Sequence, residues 1–430
     1  MATAPSEGKT FGYAAETALG TNGGTFSEIR YNEDVAYPSN TRVGVANPNK
    51  GHGHPFDFSD KPIFIEKYRE NALAFQTMIR RSASANTAPP IALFFESAGC
   101  DISTTTVSTV ASYVDESNFD LGDSGVAYGI VGDIIMPMIN DGSSDLDNFY
   151  YPALIAAKAT DTIDLAMDLP AATANAEPIE VMTTMQPRSQ AVSSTKTLAF
   201  RRQARATHTT AEDLTDDLEG CALGGVAEMV LTPSSPVTMD LTFHVGKVDQ
   251  KNVTFAAETF VDSEKFVVIN DNFRFEFAAD STSGNIARAD SICKEAKITW
   301  GFKTVPIPSE GDGTFAGIQG YMAQTDGPAK VTITAEFSKA HWTDMEAATL
   351  PSYYIGLVQP TDSLATPAMA FFAPMAHLDP DTPPVVDYSG DSYVLATVTY
   401  VCSSAGYDSD TLPADPGAAP WYFGISGAST

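Results

Sequence analysis

Strict alternation of apolar and polar residues indicates a β-strand over 237–245. The residues Val237, Met239, Leu241, Phe243 and Val245 are apolar, and polar residues lie between them. Because successive side chains of a strand point to opposite faces, one face should pack on a core and the other should contact water. A preceding run ends at Leu231, and the prolines of 232–236 cannot donate to a strand ladder. We therefore predict a β-hairpin over 221–245.

The same alternation recurs in the second half of the chain. Every second residue is apolar in four further stretches, which are 273–277, 298–302, 331–337 and 393–402. Each stretch has the length and the period of a half-buried strand. The sequence therefore predicts a mainly β protein whose final strand is Tyr393–Cys402.

A helical period is the second signal in the pattern. Within 61–83, the residues Ile65, Tyr68, Ala72, Phe75 and Ile79 would share one helix face. The adjoining apolar run 91–95 fits a buried strand or an extension of this helix. A shorter helical piece is predicted at 343–350. Helices near 60–90 and 330–360, each among alternating strands, suggest that one architectural unit occurs twice.

The length of 430 residues exceeds that of one ordinary core and favours several domains. We predict a first β domain from residues 1–100 together with 176–250. Residues 101–175 would form an all-β insertion on the outer surface. Residues 251–405 would form a second β domain, and 406–430 would form a C-terminal arm.

The charge of the chain limits its partners. The formal net charge is −29, from 54 acidic and 25 basic residues. This balance opposes binding to a nucleic-acid backbone, which requires basic patches. An acidic surface suits a conduit that DNA must pass without sticking, and it equally suits a protein from a saline habitat.

Candidate chemistry is sparse, and we predict no catalytic residue, no cofactor and no metal site. The four cysteines form no C-x-x-C pair and are expected to be buried thiols. His52 and His54 fit a solvated pair better than a metal site. The acidic stretch 141–148 lacks the glycine and the final acid of a helix–loop–helix calcium site. The acids of 212–219 could serve acid–base chemistry, but an acidic turn or short helix is the commoner structure. No secretory signal or membrane-spanning run is expected.

Several of these stretches together resemble the major tail tube proteins of long-tailed, siphovirus-like bacteriophages. They are the opening segment 12–21, the predicted helix 61–83, the insertion 101–175, and the run Glu219–Cys221 that leads into the alternating hairpin. None of them is specific alone. The resemblance implies a tail-tube β-sandwich or barrel with a flanking helix, duplication of that unit, and no enzymatic activity.

The resemblance also implies partners and a lumen. Rings of three or six chains would stack into a tube in the virion, after synthesis in the host cytoplasm. The other partners would be terminator, distal tail and tape measure proteins, with no membrane. Viral DNA would pass through without specific binding. The residues expected to face the lumen are Thr238, Asp240, Thr242, Thr332, Thr334 and Glu336.

Two other classes of protein fit the same sequence. One is a different virion or surface structural protein, such as a capsid decoration protein or an adhesin. The other is a secreted, calcium-dependent enzyme acting on polysaccharides, which the acidity and the carboxylates of 141–148 suggest. Function inferred through a fold analogy leaves these alternatives open.

Overall fold

The structure is a computed structural model. It describes residues 9–22, 26–29, 43–45, 63–65, 71–82, 87–104, 108–109, 112–115, 118–120, 131–139, 148–159, 162–170, 178–187, 196–204, 214–252, 265–278, 293–308, 318–336, 352–387, 395–404 and 419–427.

The described residues form β-strands and one short helix. The first half contains β1 (Lys9–Ala18), β2 (Thr21–Asn22), β3 (Ser27–Glu28), β4 (Val43–Val45), β5 (Ile63–Ile65), β6 (Asn71–Met78), α1 (Pro90–Ser97), β7 (Cys100–Ser103), β8 (Ser108–Thr109), β9 (Ser112–Asp115), β10 (Asn118–Asp120), β11 (Ile134–Met136), β12 (Ala153–Lys158), β13 (Thr162–Leu165), β14 (Pro178–Val181), β15 (Thr183–Pro187) and β16 (Leu198–Ala204). The second half contains β17 (Leu214–Leu231), β18 (Thr238–Val245), β19 (Lys247–Asn252), β20 (Arg274–Ala278), β21 (Cys293–Trp300), β22 (Phe302–Pro308), β23 (Ile318–Thr325), β24 (Lys330–Ala335), β25 (Tyr353–Val358), β26 (Met369–Leu378), β27 (Val385–Asp387), β28 (Leu395–Ser403) and β29 (Tyr422–Ile425).

A long antiparallel hairpin organises the main sheet. The strand β17 pairs with β18 along its second half and with β19 along its first half. The turn 232–236 joins β17 to β18, and Gly246 separates β18 from β19. The predicted hairpin is therefore confirmed, and it extends further toward both ends of the chain than 221–245.

The first layer of the molecule continues this hairpin on both sides. Its strand order is β6, β18, β17, β21, β24, β28 and β27, and every neighbouring pair is antiparallel. Alternate residues of these strands are buried, as in β18, where Met239, Leu241 and Phe243 alternate with half-buried polar residues. Strands from both halves of the chain thus form one continuous surface, while the predicted division into domains remains a prediction.

The second layer is buried on both of its faces. Its strands follow the order β20, β25, β26, β29, β15 and β7. In β25, Ile355 and Leu357 pack into a core shared with the first layer, whereas Tyr354 and Val358 pack into a second core. Strands buried on both faces read as continuous apolar runs, as the residues of β25 do.

The third layer is a separate seven-stranded sheet with the order β8, β14, β11, β12, β13, β10, β9. Ile134 and Leu154 of this sheet belong to the second core, together with Phe372 and Tyr422 of the second layer. The sheet therefore lies on the opposite side of the molecule from the free face of the first layer. Its strands come from residues 108–181 of the chain.

The helix prediction for 61–83 is wrong in the part that the structure describes. Residues 63–65 form β5 and residues 71–78 form β6, which pairs with β18 over its whole length. Leu73, Phe75 and Ile79 also fit the period of two of a β-strand. The segment forms a strand because β18 provides a pairing partner. Short apolar runs leave that choice to tertiary context.

The helix found among the described residues is α1, which covers the ambiguous run 91–95. Phe94 and Phe95 are buried in the first core, so the helix lies within the core and does not flank it. Pro90 lies in the first turn of the helix, where a backbone N–H has no acceptor within the helix, so a proline without an N–H is tolerated there. The predicted helix 343–350 lies outside the described residues, so a duplicated flanking helix has no support.

Other strand predictions have mixed outcomes. The mainly β class and the strands near 273–277, 331–337 and 393–402 are confirmed by β20, β24 and β28. The strand 393–402 is not the final one, because β29 follows it and pairs with β15 and β26. Part of the predicted C-terminal arm is therefore a buried strand. Within the described part of the chain, no helix has the length and apolarity needed to cross a bilayer.

Candidate functional site

The six residues predicted to face a lumen lie on one face of the first layer. Thr238, Asp240 and Thr242 belong to β18, Thr332 and Thr334 belong to β24, and Glu336 directly follows β24. All six are half-buried or exposed. The strands β17 and β21 lie between β18 and β24, so the four strands form one continuous face.

The strand register aligns this face in rows, because residues paired across antiparallel strands point to the same side. One row passes through six strands and contains Gln76, Asp240, Glu228, Thr299, Lys330 and Val401. The next row passes through six strands and contains Met78, Thr238, Val230, Lys297, Thr332 and Thr399. We call the surface formed by these rows and their neighbours the polar face.

Contacts between strands hold the polar side chains in place. Gln76 donates a hydrogen bond from Nε2 to Oδ1 of Asp240 at 2.8 Å. Lys297 Nζ lies 2.6 Å from Oε1 of Glu228, and these side chains are 39% and 25% exposed. Ion pairs that are open to water contribute little to stability, so this pair orders the surface more than it stabilises the fold.

A ladder of threonines joins β24 to β28. The hydroxyls of Thr332 and Thr399 are 3.0 Å apart, and those of Thr334 and Thr397 are 2.9 Å apart. Each pair lies directly opposite in register. Cross-strand hydroxyl pairs of this kind stabilise a sheet modestly and leave its surface polar but uncharged.

Acids exceed bases on the polar face. Asp240, Glu228 and the exposed residues Glu295 and Glu336 supply carboxylates, while Lys297, Lys330 and the exposed residue Lys294 supply amines. Lys330 is paired with Asp379 at 2.7 Å. These groups are spread over a broad sheet surface and do not converge on one point. Such an arrangement suits contact with, or repulsion of, an extended partner.

The acids of 212–219 have a different setting from the one predicted. Residues 214–219 belong to β17, so the prediction of an acidic turn or short helix is wrong there. Asp217 is fully buried and accepts hydrogen bonds from Nε and Nη2 of Arg201 at 2.7 and 2.9 Å. Arg201 also lies over the ring of Phe26, at 4.1 Å from its centroid. This two-point contact neutralises the buried carboxylate.

A second buried acid, Glu16, ties β1 to β17. Its Oε1 accepts from the N–H of Gly220 at 2.9 Å, and its Oε2 accepts from the Thr197 hydroxyl at 2.6 Å. Burial raises the pKa of Glu16, and these hydrogen bonds oppose the rise only in part. Glu219 lies beside this group, with Lys247 Nζ at 3.6 Å from its Oε2. Asp217 and Glu219 of β17 are therefore structural partners of neighbouring strands.

The prediction for the cysteines is confirmed, whereas most of the other candidate residues lie outside the described part of the chain. All four cysteines are free and buried, as predicted. Burial raises the pKa of the Cys293 thiol to about 12 and that of Cys221 well above its ordinary value. His52, His54 and nearly all of 141–148 lie outside the described residues. Within the described ranges, no group of histidine, cysteine and acidic residues has the arrangement of a metal site.

Some residues of the polar face were not singled out from the sequence. Thr299 and Thr397 occupy the polar positions of stretches whose apolar positions were predicted to alternate, so the signal was present. Gln76 was missed because its segment was assigned to a helix. Which strands become neighbours depends on contacts between distant residues, and alternation within a strand carries no information about them.

Comparison of the chain with protein-family models finds no matching family, and comparison with curated protein sequences finds no significant match.

Proposed function

We propose that this chain is the subunit of a self-assembling conduit, and in particular the major tail tube protein of a long-tailed bacteriophage. Copies would form stacked rings through which viral DNA passes into the host. The observation that supports this proposal most is the polar face, because strands from both halves of the chain contribute to one broad surface. A lumen wall requires such a surface.

The layer order supports the same assignment. One side of the first layer packs on the large core, and its other side is the polar face. The seven-stranded sheet of residues 108–181 lies beyond the second core, on the far side of the molecule. A subunit with its polar face toward the axis would carry that sheet on the outside of the ring, where the predicted insertion was placed.

One edge of the first layer supports association with further copies. Among the described strands, β27 pairs only with β28. A strand at the edge of a sheet can pair with a strand of another chain. Pairing at β27 would continue the polar face from one copy to the next and would contribute to closing a ring.

The charge of the polar face supports passage of DNA over tight binding. Carboxylates on this face outnumber amines, and the chain as a whole carries a net charge of −29. DNA phosphates are repelled by such a surface, so the duplex would slide without adhering.

Negative-stain electron microscopy of the purified chain over a range of concentrations tests the proposal. We expect rings or tubes with an axial hole and threefold or sixfold symmetry. Compact single copies at every concentration, including in the presence of preformed tail tips, would contradict it.

Charge reversal tests whether DNA passes along the polar face. Replacing Asp240 and Glu336 by Lys should slow DNA ejection from otherwise normal particles, because the new amines attract phosphates. The matched control replaces the same residues by Asn and Gln, which removes the negative charge without adding a positive one. Ejection rates measured by dye uptake should follow the order parent, neutral variant, lysine variant. Equal rates for all three would contradict a lumen position.

A further inference from the structure

A cavity of about 670 Å³ lies at one end of the polar face. The two-stranded hairpin of β22 and β23 covers the place where β17 bulges, between Leu223 and Ala227. The cavity is lined mainly by rings and apolar side chains, including His244, Trp300, Phe302, Val305, Pro306 and Tyr321. Its size is within the range of binding sites for small ligands and for short peptide segments.

Close backbone contacts build this cavity into the fold. A Cβ atom at Gly224 would lie 2.0 Å from Oγ1 of Thr304, so the covering hairpin can approach β17 only because a glycine is present. A Cβ atom at Gly301 would lie 1.9 Å from the carbonyl oxygen of Gly327. The rings of His244 and Tyr321 stack across the cavity wall, with their centroids 6.2 Å apart. The covering hairpin is therefore packed closely against β17 at this cavity.

An exposed apolar segment follows Asp379, whose carboxylate accepts a hydrogen bond from the cavity-lining residue Lys330. Residues 380–385 are all exposed, and Val385 is 61% exposed, a high value for a large apolar side chain. Pro383 and Pro384 precede it, and consecutive prolines favour the extended polyproline conformation. We call Pro383–Val385 the proline segment.

Hydrogen bonds hold the approach to the proline segment in a fixed shape. Asp379 accepts from the Asp381 N–H at 3.1 Å and from the Thr382 hydroxyl at 3.0 Å. Lys330 donates to the same carboxylate at 2.7 Å and, as the strongest cause, lowers the pKa of Asp379. A segment that is ordered before binding loses less conformational entropy when it binds.

We infer that the aromatic cavity of one copy binds the proline segment of a second copy. Grooves lined by aromatic rings are a recurrent receptor for extended proline-rich segments, because the rings pack on the flat faces of the pyrrolidines. The segment of the same copy is exposed, so it does not fill its own cavity. It continues into β27, which β28 separates from β24, the strand that carries the cavity-lining residue Lys330.

The inference deepens the proposed self-association and rests on it, but it does not depend on passage of DNA. A synthetic peptide of residues 379–387 provides the probe, titrated against the full chain by isothermal calorimetry. We expect saturable binding, with a loss of about tenfold or more when Pro383 and Pro384 are replaced by serine. A peptide with Thr382→Ser provides the control and should bind as the parent peptide does. No binding, or equal binding of all peptides, would overturn the inference.

Two full-chain variants locate the contact. Val305→Lys places a charge on the half-buried wall of the cavity and should abolish peptide binding. Replacing Pro383 and Pro384 by serine in the full chain changes only exposed positions, so the fold should persist even if Val305→Lys misfolds. That second variant should weaken self-association by about tenfold in sedimentation velocity. Unchanged association would overturn the inference.

The two proposals can fail separately. Rings in the microscope without peptide binding would refute the proline-segment contact and leave the conduit standing. Peptide binding without rings or tubes would support the contact and contradict the conduit.

Discussion

Polar side chains lie on both halves of β17, partly exposed in the second half and mostly buried in the first. In the second half, Glu228 is 25% exposed and pairs with Lys297 on the polar face. In the first half, Asp217 is fully buried and pairs with Arg201. Asp216, Asp217 and Glu219 lie in the first half, and Glu228 lies in the second. The difference in burial arises from the segments that pack over each half.

This contrast separates two roles for charge in one strand. A buried carboxylate without a partner would lose its hydration without compensation, so Asp217 depends on Arg201. A carboxylate on the polar face keeps water as an alternative partner and can be changed freely. Residues that are available for a functional surface are therefore those whose removal has little effect on the fold.

The largest expected effect follows from breaking the buried pair. Arg201→Met removes the two hydrogen bonds to Asp217 and leaves a buried charge. We expect a loss of about 3–5 kcal/mol in the free energy of unfolding, measured by urea denaturation. In the double variant Arg201→Met/Asp217→Leu, most of that stability should return, because neither charge remains. A loss below about 1 kcal/mol in the single variant would contradict the assignment.

A pH-dependent effect of intermediate size is expected at Glu180. This carboxyl, in β14, accepts a hydrogen bond from the N–H of Gly427, and burial raises its pKa to about 7. Because the pKa in the folded state exceeds the ordinary value of 4.5, ionisation opposes folding. Stability from this group is complete below about pH 4.5 and is lost as the pH rises through about 7.

Glu180→Gln isolates that effect, because glutamine keeps an acceptor for Gly427 and does not ionise. The variant should gain stability relative to the parent protein between pH 4.5 and pH 8, by about 3 kcal/mol for a shift of this size. Thermal unfolding of both proteins across this pH range provides the measurement. A difference in Tm that does not change with pH would contradict the raised pKa.

The smallest expected effect is on the polar face. Lys297→Met breaks the pair with Glu228, but water can solvate the carboxylate. We expect a change of about 0.2–1 kcal/mol, in the same urea assay as for Arg201→Met. A loss as large as that of Arg201→Met would remove the distinction between the two halves of β17.

Alternation along a strand was sufficient to predict much of the fold. Val237 to Val245 identified β18, and Val331 and Ile333 identified β24, because a half-buried strand fixes its side chains with a period of two. Thr238 and Thr332 were correctly placed on polar strand faces for the same reason. The sequence did not reveal that the polar faces of β18 and β24 belong to one surface. The two strands are connected through the pairing of β17 with β21, which are distant in the sequence.

Two errors have a common physical origin. Phe75 and Ile79 fit both a helical period and a period of two, and pairing of β6 with β18 decided between them. The acids of 214–219 resembled a solvated turn because the partner of Asp217, Arg201, lies on β16. In both cases the outcome depends on contacts with another segment, which local propensity does not contain.

Thiol labelling before and after assembly tests the central claim that the polar face lines a lumen. Glu336→Cys places a thiol at an exposed position of that face, and Ala157→Cys places one at an exposed position of the seven-stranded sheet. The four native cysteines are buried and should contribute little background. The probe is a maleimide coupled to a protein too large to enter the tube. The account predicts that both variants react as free subunits and that assembly protects only Glu336→Cys. Continued labelling of Glu336→Cys in assembled tubes, at the rate of Ala157→Cys, would contradict it.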